Sequence, residues 1–309
     1  MYKYSKILVG LDNSDMDKSL IKAASEVCKL SGSKSVYFVN VLKEMNLPDS
    51  IKREFPDILD KAIEERQNEI QDKVNKHFNY TEAEVIINVI VDEGQVTKTI
   101  LKYAGNEKID LVILGRKNEQ KGGGIQITRI ARRIACSLLI IPKGADLKLN
   151  KVLVPTDFSD YSKKAVEKAA TLLRKSKNAN AILTIQNVYQ VPVGYHYTGK
   201  SFKEFSEIMK DHAKGDYKKF VNEVDLRNIK LEQTYTLDKD DDITKDIYKT
   251  AKKIDADLIV IGAKGRTAAA SLFIGSKAEK LIQVDSDIPL LVVRPKGKIA
   301  GLMEMLREI

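Results

Sequence analysis

The feature that most constrains this chain is that it repeats itself. The run KILVGLDNSDMDKSLIKAA from Lys6 recurs as KVLVPTDFSDYSKKAVEKAA from Lys151, with Asp12 matching Asp157 and Ser14 matching Ser159. IDLVILG (Ile109 to Gly115) recurs as ADLIVIG (Ala256 to Gly262), and SLLIIPKG from Ser137 recurs as PLLVVRPKG from Pro289. Three matches in the same order imply duplication of a whole domain. The 309 residues divide accordingly, into domains over 1–146 and 147–309 joined by a linker at Lys143 to Asn150.

Within each half the apolar runs are short, unbroken and rich in Val, Ile and Leu, as strands buried on both faces of a parallel sheet must be. The first half offers Ile7 to Leu11, Val36 to Leu42, Val85 to Val91, Leu111 to Leu114 and Leu138 to Ile141. The second offers Val152 to Val154, Ile182 to Val188, Leu231 to Leu237, Leu258 to Ile261 and Leu290 to Val293. Helical periodicity separates them, with Ile58, Ala62, Ile63, Ile70 and Val74 on one face, and Phe202, Phe205, Met209, Phe220 and Val224 on another. Alternating strand and helix with right-handed crossovers predicts two tandem, doubly wound, five-stranded parallel α/β sheets. Such sheets bind ligands beyond the carboxyl ends of their strands, where the winding reverses. That places the chemistry after the first strands, at Asp12 and Asp157, and after the fourth, from Gly115 and Gly262.

The loop after Ile261 reads G-x2-G-x9-G-S through Gly262, Gly265, Gly275 and Ser276. Glycines let a backbone approach an anion, and Gly275 and Ser276 stand where a helix start offers unbonded amides. The same residues also suit a surface turn and an N-cap, and Asp157 and Asp12 suit helix caps. Neither a G-x4-G-K-[ST] loop nor a G-x-G-x-x-G after the first strand is present. The first half departs at this place. Asn118 replaces the second glycine, eight residues separate Gly115 from Gly124 where twelve separate Gly262 from Gly275, and Ile125 replaces the serine. A phosphate loop so shortened is expected to be empty, weak or altered, and Gly122-Gly123-Gly124 reads as a flexible turn, with an anion nest as the alternative.

V-P-T-D-F-S (Val154 to Ser159), the DLIVIG strand with its glycine loop, and the closing PLLVVR strand together resemble the universal stress protein family in a tandem two-domain form. The resemblance implies a Rossmann-like, adenine-nucleotide-binding α-hydrolase-like fold, packed as an internal pseudo-dimer with Leu138–Ile141 against Leu290–Val293. It implies ATP in the second domain, with or without magnesium. Asp157 would contact adenosine, Asn187 and Val188 line the base, and Ile261 and Gly262 flank it. The amides of Gly265, Gly275, Ser276 and Lys277 would meet the phosphates. The function implied is a nucleotide-dependent regulatory module of the stress response with a protein partner. The alternatives are an ATP-using enzyme, by slow hydrolysis or adenylyl transfer, and a ligand-free structural pseudo-dimer.

Composition narrows the remainder. The net charge of +9 is dispersed, Lys plus Arg exceeding Asp plus Glu by 24 to 21 through residue 150 and by 28 to 22 after it, and there is no Trp. Nucleic acid is therefore a poor partner. No apolar run spans a bilayer and no secretory signal precedes the first strand, so a cytoplasmic protein is expected. Cys28 and Cys136 are read as core thiols, His77, His196 and His212 as structural or surface residues, and Asp238 to Asp242 as a solvated turn and helix start. Lys264 and Arg266 lie inside the glycine loop, as phosphate partners or surface charges. His196, Tyr195 and Tyr197 read as a mobile surface loop. Arg129, Arg132 and Arg133 read as the outer face of a helix packed through Ile127, Ile130 and Ile134. The tail from Lys298 to Ile309, with Leu302, Met305 and Leu306 on one face, reads as a docking helix, and a homodimer is a further option.

Overall fold

The computed structural model describes residues 3–80, 85–117, 123–265, 274–284 and 286–294. The loop positions Asn118, Gly122 and Arg266 and the tail from Lys298 lie outside them, and for Ile125 only the backbone is described. The chain divides into two compact units, one built on the residues through Leu147, the other on Lys148–Val284 together with the last strand.

In the first unit β1 (Lys6–Leu11), α1 (Met16–Ser31), β2 (Ser35–Leu42), the short α2 (Asp49–Glu54), α3 (Ile58–His77), β3 (Ile86–Glu93), α4 (Val96–Asn106), β4 (Leu111–Arg116), α5 (Gly123–Arg133) and β5 (Ser137–Pro142) follow in order. The strands lie β3-β2-β1-β4-β5, all parallel. In the second, β6 (Lys151–Thr156), α6 (Asp160–Ser176), β7 (Ile182–Tyr189), a 3-10 turn (Val193–Thr198), α7 (Phe202–Asn222), β8 (Lys230–Leu237), α8 (Ile243–Lys253), β9 (Leu258–Gly262), α9 (Ser276–Gln283) and β10 (Leu290–Val293) repeat the plan. Their order is β8-β7-β6-β9-β10, again parallel. The winding reverses between β1 and β4 and between β6 and β9, the two places at which the repeat puts its aspartates and glycines.

Burial explains why these segments are strands. Ile7, Leu8, Val9, Val36, Leu111, Val112 and Ile113 are fully buried, as are Leu153, Val154, Ile259, Val260 and Leu290. Each such side chain contributes about 1.5–3 kcal/mol by leaving water. Register is pinned at the start of the central strands by an aspartate that the repeat preserves. Asp110 Oδ2 accepts from the amides of Ser5 and Lys6 at 2.7 and 3.0 Å, and Asp257 Oδ2 from those of Asn150 and Lys151, both at 2.9 Å. At the other end, Asn40 Nδ2 donates to Leu11 O at 3.0 Å and Asn187 Nδ2 to Thr156 O at 2.9 Å. These two stitches align the carboxyl ends of neighbouring strands.

One expectation changes and two gain detail. Gly123 and Gly124 open α5 instead of forming a turn. The segment around His196 stays at the surface and forms a 3-10 turn whose Tyr195 ring lies 5.6 Å from Phe202, followed by a Ser201–Glu204 capping box. In the acidic run Asp238 is buried, its Oδ1 accepting from the amides of Asp240 and Asp242, while Asp240 and Asp241 are exposed and Asp242 caps α8, so the run is a turn and helix start with one buried carboxylate. The outer-face reading of α5 agrees with the structure, with Ile127, Ile130 and Ile134 buried and Arg129, Arg132 and Arg133 exposed. Both cysteines are buried and neither is in a disulfide.

Candidate functional site

The site of the second unit begins where β6 stops. Phe158 takes φ of 62°, a left-handed turn that a bulky residue resists, and its ring is held edge-on to Phe220 at 5.5 Å. The turn points the Asp157 carboxylate back over the strand end. Asp157 Oδ1 accepts from Ser162 Oγ at 2.6 Å and from the Ser159 amide at 3.1 Å, while the Asp157 amide donates to Ser162 Oγ at 3.2 Å. The cap of α6 is Ser159, which accepts from the Ser162 amide; Asp157 braces the turn before it. Thr156 completes the turn by accepting from the Phe158 amide at 2.9 Å.

The glycine loop meets this turn closely. A Cβ on Gly265 would stand 2.6 Å from Asp157 Oδ2, so a side chain there would push that carboxylate from its place against the loop. A Cβ on Gly262 would stand 2.7 Å from the backbone carbon and oxygen of Tyr161, so β9 and the start of α6 touch main chain to main chain. The Gly275 amide donates to Ala263 O at 2.8 Å, which closes the loop at its base. Gly275 then occupies the N-cap of α9, where no side-chain cap bond is made among the described residues, and the Ser276 and Lys277 amides follow in the first turn. Ser276 and Lys277 are exposed, Ile261 and Gly262 buried, Asn187 buried and Val188 half-buried at the end of β7. Asp157, Asn187, Val188, Ile261, Gly262, Gly265, Gly275, Ser276 and Lys277 therefore all belong to strand ends, to the glycine loop or to the first turn of α9 in one unit.

Lys264 is buried within the loop, its Nζ 5.8 Å from the centre of the Tyr161 ring. Burial, and secondarily the charge of Arg294, holds its ammonium below the ordinary lysine range.

The first unit shares the turn but not its surroundings. Asn13 has the same φ of 62°, which asparagine accepts readily. Asp12 Oδ1 accepts from Ser14 Oγ at 2.5 Å and from its amide at 3.2 Å, but Asp12 Oδ2 is paired with Lys117 Nζ at 2.6 Å. Partial burial pushes the Asp12 carboxyl up, and the Lys117 and Ser14 contacts outweigh it, so the net displacement is downward. Where the second unit has Ser162, the first has Asp17, fully buried, accepting from the Asp12 amide at 3.1 Å and from Lys73 Nζ at 2.9 Å.

Sequence reasoning overlooked Thr156, Ser162 and Tyr161. Ser162 was visible as the position that aligns with Asp17, five residues beyond each aspartate. Tyr161 left no local signal, since its role depends on contact with β9.

A parallel, doubly wound α/β unit with a strand-end aspartate against a glycine loop, present twice in tandem, defines the class. The universal stress protein family matches residues 3–142 and again 148–294. The chain belongs to the universal stress protein family. It is 22% identical over 313 residues to a universal stress protein E homologue of Haemophilus influenzae, covering 96% of this chain and 99% of that protein. It is 29% identical over 159 residues to a universal stress protein of Methanocaldococcus jannaschii, covering 52% of this chain and 89% of the relative. The crystal structure of a universal stress protein from Archaeoglobus fulgidus shares the fold, with a TM-score of 0.64 at 18% identity over 95% of this chain and 99% of that one.

Proposed function

We propose that the second unit binds ATP and that the protein acts as a nucleotide-dependent regulatory module of the stress response. The observation that carries the reading is the contact between Gly265 and the Asp157 carboxylate, together with the start of α9 at Gly275 one loop away. A cradle that a single Cβ would fill fits a ligand that needs backbone amides on one side and a carboxylate on the other. In this reading Asp157 accepts from the ribose hydroxyls, and the strand end at Asn187 and Val188 lines the base with Ile261 and Gly262. The amides of Gly265, Gly275, Ser276 and Lys277 take the phosphates, favoured by the positive end of α9. Bound ATP would alter the surface offered to a protein partner, in keeping with a cytoplasmic regulatory role.

Equilibrium binding of labelled ATP to the full chain tests this. The wild type is expected to bind, and Gly265→Val combined with Ser276→Leu to lose binding by at least about a hundredfold, since two contacts are removed. Equal binding by both proteins would assign the nucleotide elsewhere.

A further inference from the structure

Two contacts fix how α3 lies along α1 in the first unit. Lys73 Nζ donates to Asp17 Oδ2 at 2.9 Å, and the Asn79 amide, just past the end of α3, donates to Ser25 Oγ at 3.1 Å. Asp17 precedes Ser25 as Lys73 precedes Asn79, so the two stretches run side by side in the same direction. Between these pins α1 carries Lys18 and Lys22, and α3 carries Lys76 and His77. Lys18, Lys22 and Lys76 are exposed, His77 half-buried. Asp17 neutralises Lys73, but among the described residues no carboxylate pairs with Lys18, Lys22 or Lys76; Asp72, one turn before Lys76, makes no ion pair with it. Partial burial first, and then the charges of Lys76, Lys18, Lys22 and Lys73, hold His77 below the ordinary histidine range, so these ammoniums face one another across the two helices. The second unit has cancelled the same charge. Lys163, which aligns with Lys18, is paired with Glu223 at the end of α7 at 2.8 Å, and Glu167, which aligns with Lys22, takes Lys164 at 2.9 Å.

We propose that the α1–α3 face of the first unit docks an acidic segment of a protein partner, with Lys18, Lys22 and Lys76 meeting its carboxylates. Like charges gathered without counter-ions repel and do nothing for the isolated fold, whereas an acidic chain laid across them supplies what the second unit builds in. The chemistry of the face selects among anions. Lysines are point charges on flexible stems, and spread over two helices they suit carboxylates spaced along a chain; the arginine fork that grips a single phosphate is absent between the pins. The exposed large apolar side chains of the first unit, Phe55, Ile58, Ile86, Ile87 and Val96, all lie outside this stretch, so the face offers no wedge to a bilayer and no ring on which a base stacks. The proposal is independent of the nucleotide reading, which concerns the second unit.

The experiment follows the fluorescence anisotropy of a labelled octaglutamate peptide titrated with the full chain, without nucleotide, at about 50 mM and about 300 mM salt. The wild type is expected to bind, more weakly at the higher salt. Combining Lys18→Gln, Lys22→Gln and Lys76→Gln is expected to lower affinity by at least about tenfold. Combining Lys200→Gln, Lys203→Gln and Lys218→Gln, which removes as much charge from exposed positions of the second unit, is expected to change it by less than about twofold. The first triple variant loses repulsion and no contact, so its denaturant midpoint is expected to equal or exceed that of the wild type. No binding by the wild type at low salt, equal losses in the two triple variants, or a lowered midpoint in the first overturns the proposal. So does tighter binding of an oligonucleotide or of vesicles containing phosphatidylserine that is lost in the first triple variant, since the face would then belong to nucleic acid or to membrane.

Discussion

At the scale of single residues, what surrounds each glycine decides what a side chain there would cost. A Cβ on Gly262 meets the backbone of Tyr161, which cannot move without shifting α6, whereas one on Gly115 meets the flexible end of Met16. Gly262→Ala is therefore expected to lower the unfolding free energy by about 2–3 kcal/mol and Gly115→Ala by less than about 1 kcal/mol, read as shifts of the denaturant midpoint. The Asp12–Lys117 pair yields a pH signature. The fold favours ionised Asp12, so its contribution is present above the ordinary carboxylate range and is lost as pH falls through the lower native value. Lys117→Met is expected to cost less than about 1 kcal/mol at neutral pH, both partners being half-exposed, and its difference from wild type to vanish in acid. Burial raises the Cys28 thiol to about 11, so alkylation of the native protein at neutral pH is expected to be slow and to become fast on unfolding. Asp157 and Gly265 were legible because their chemistry lies in their own types and spacing. Ser162, Thr156 and Tyr161 were not, because a hydroxyl bracing a turn and a ring under a lysine exist only once β6, β9 and α6 meet.

At the scale of elements, strands were easier to read than their connections. A run such as Leu258–Gly262, buried along its whole length, announces itself through apolar composition alone. The 3-10 turn at Val193–Thr198 does not, since it is supported by the edge-on contact of Tyr195 with Phe202 and by the capping box that follows. The start of α5 at Gly123 is likewise opaque, glycine being a poor helix former whose placement here follows from the buried Ile127 and Ile130 downstream. The repeated Asp110 and Asp257 were visible as part of a matched strand, yet their work is to bind two backbone amides of the neighbouring strand. Asp257→Ala would leave the amides of Asn150 and Lys151 without that acceptor and is expected to destabilise the second unit by about 1–3 kcal/mol. Thermal unfolding of the full chain, with ATP binding recorded alongside, measures it.

At the scale of the whole molecule, duplication followed by divergence accounts for the asymmetry. Both units keep the strand-end asparagine stitch and the aspartate turn, because these hold a parallel sheet's carboxyl edge together whether or not a ligand comes. They differ in the loop after the fourth strand and in what faces the aspartate, where the second has Gly265 and the first has Lys117. Only the second unit combines the strand-end aspartate turn with the full glycine spacing, so the chain is expected to hold a single nucleotide. The most direct measurement is isothermal titration of ATP into the full chain. One ATP per chain, retained in Asp12→Ala and lost in Gly265→Val, is the predicted result; two per chain, or one that survives Gly265→Val and disappears with Asp12→Ala, would contradict it.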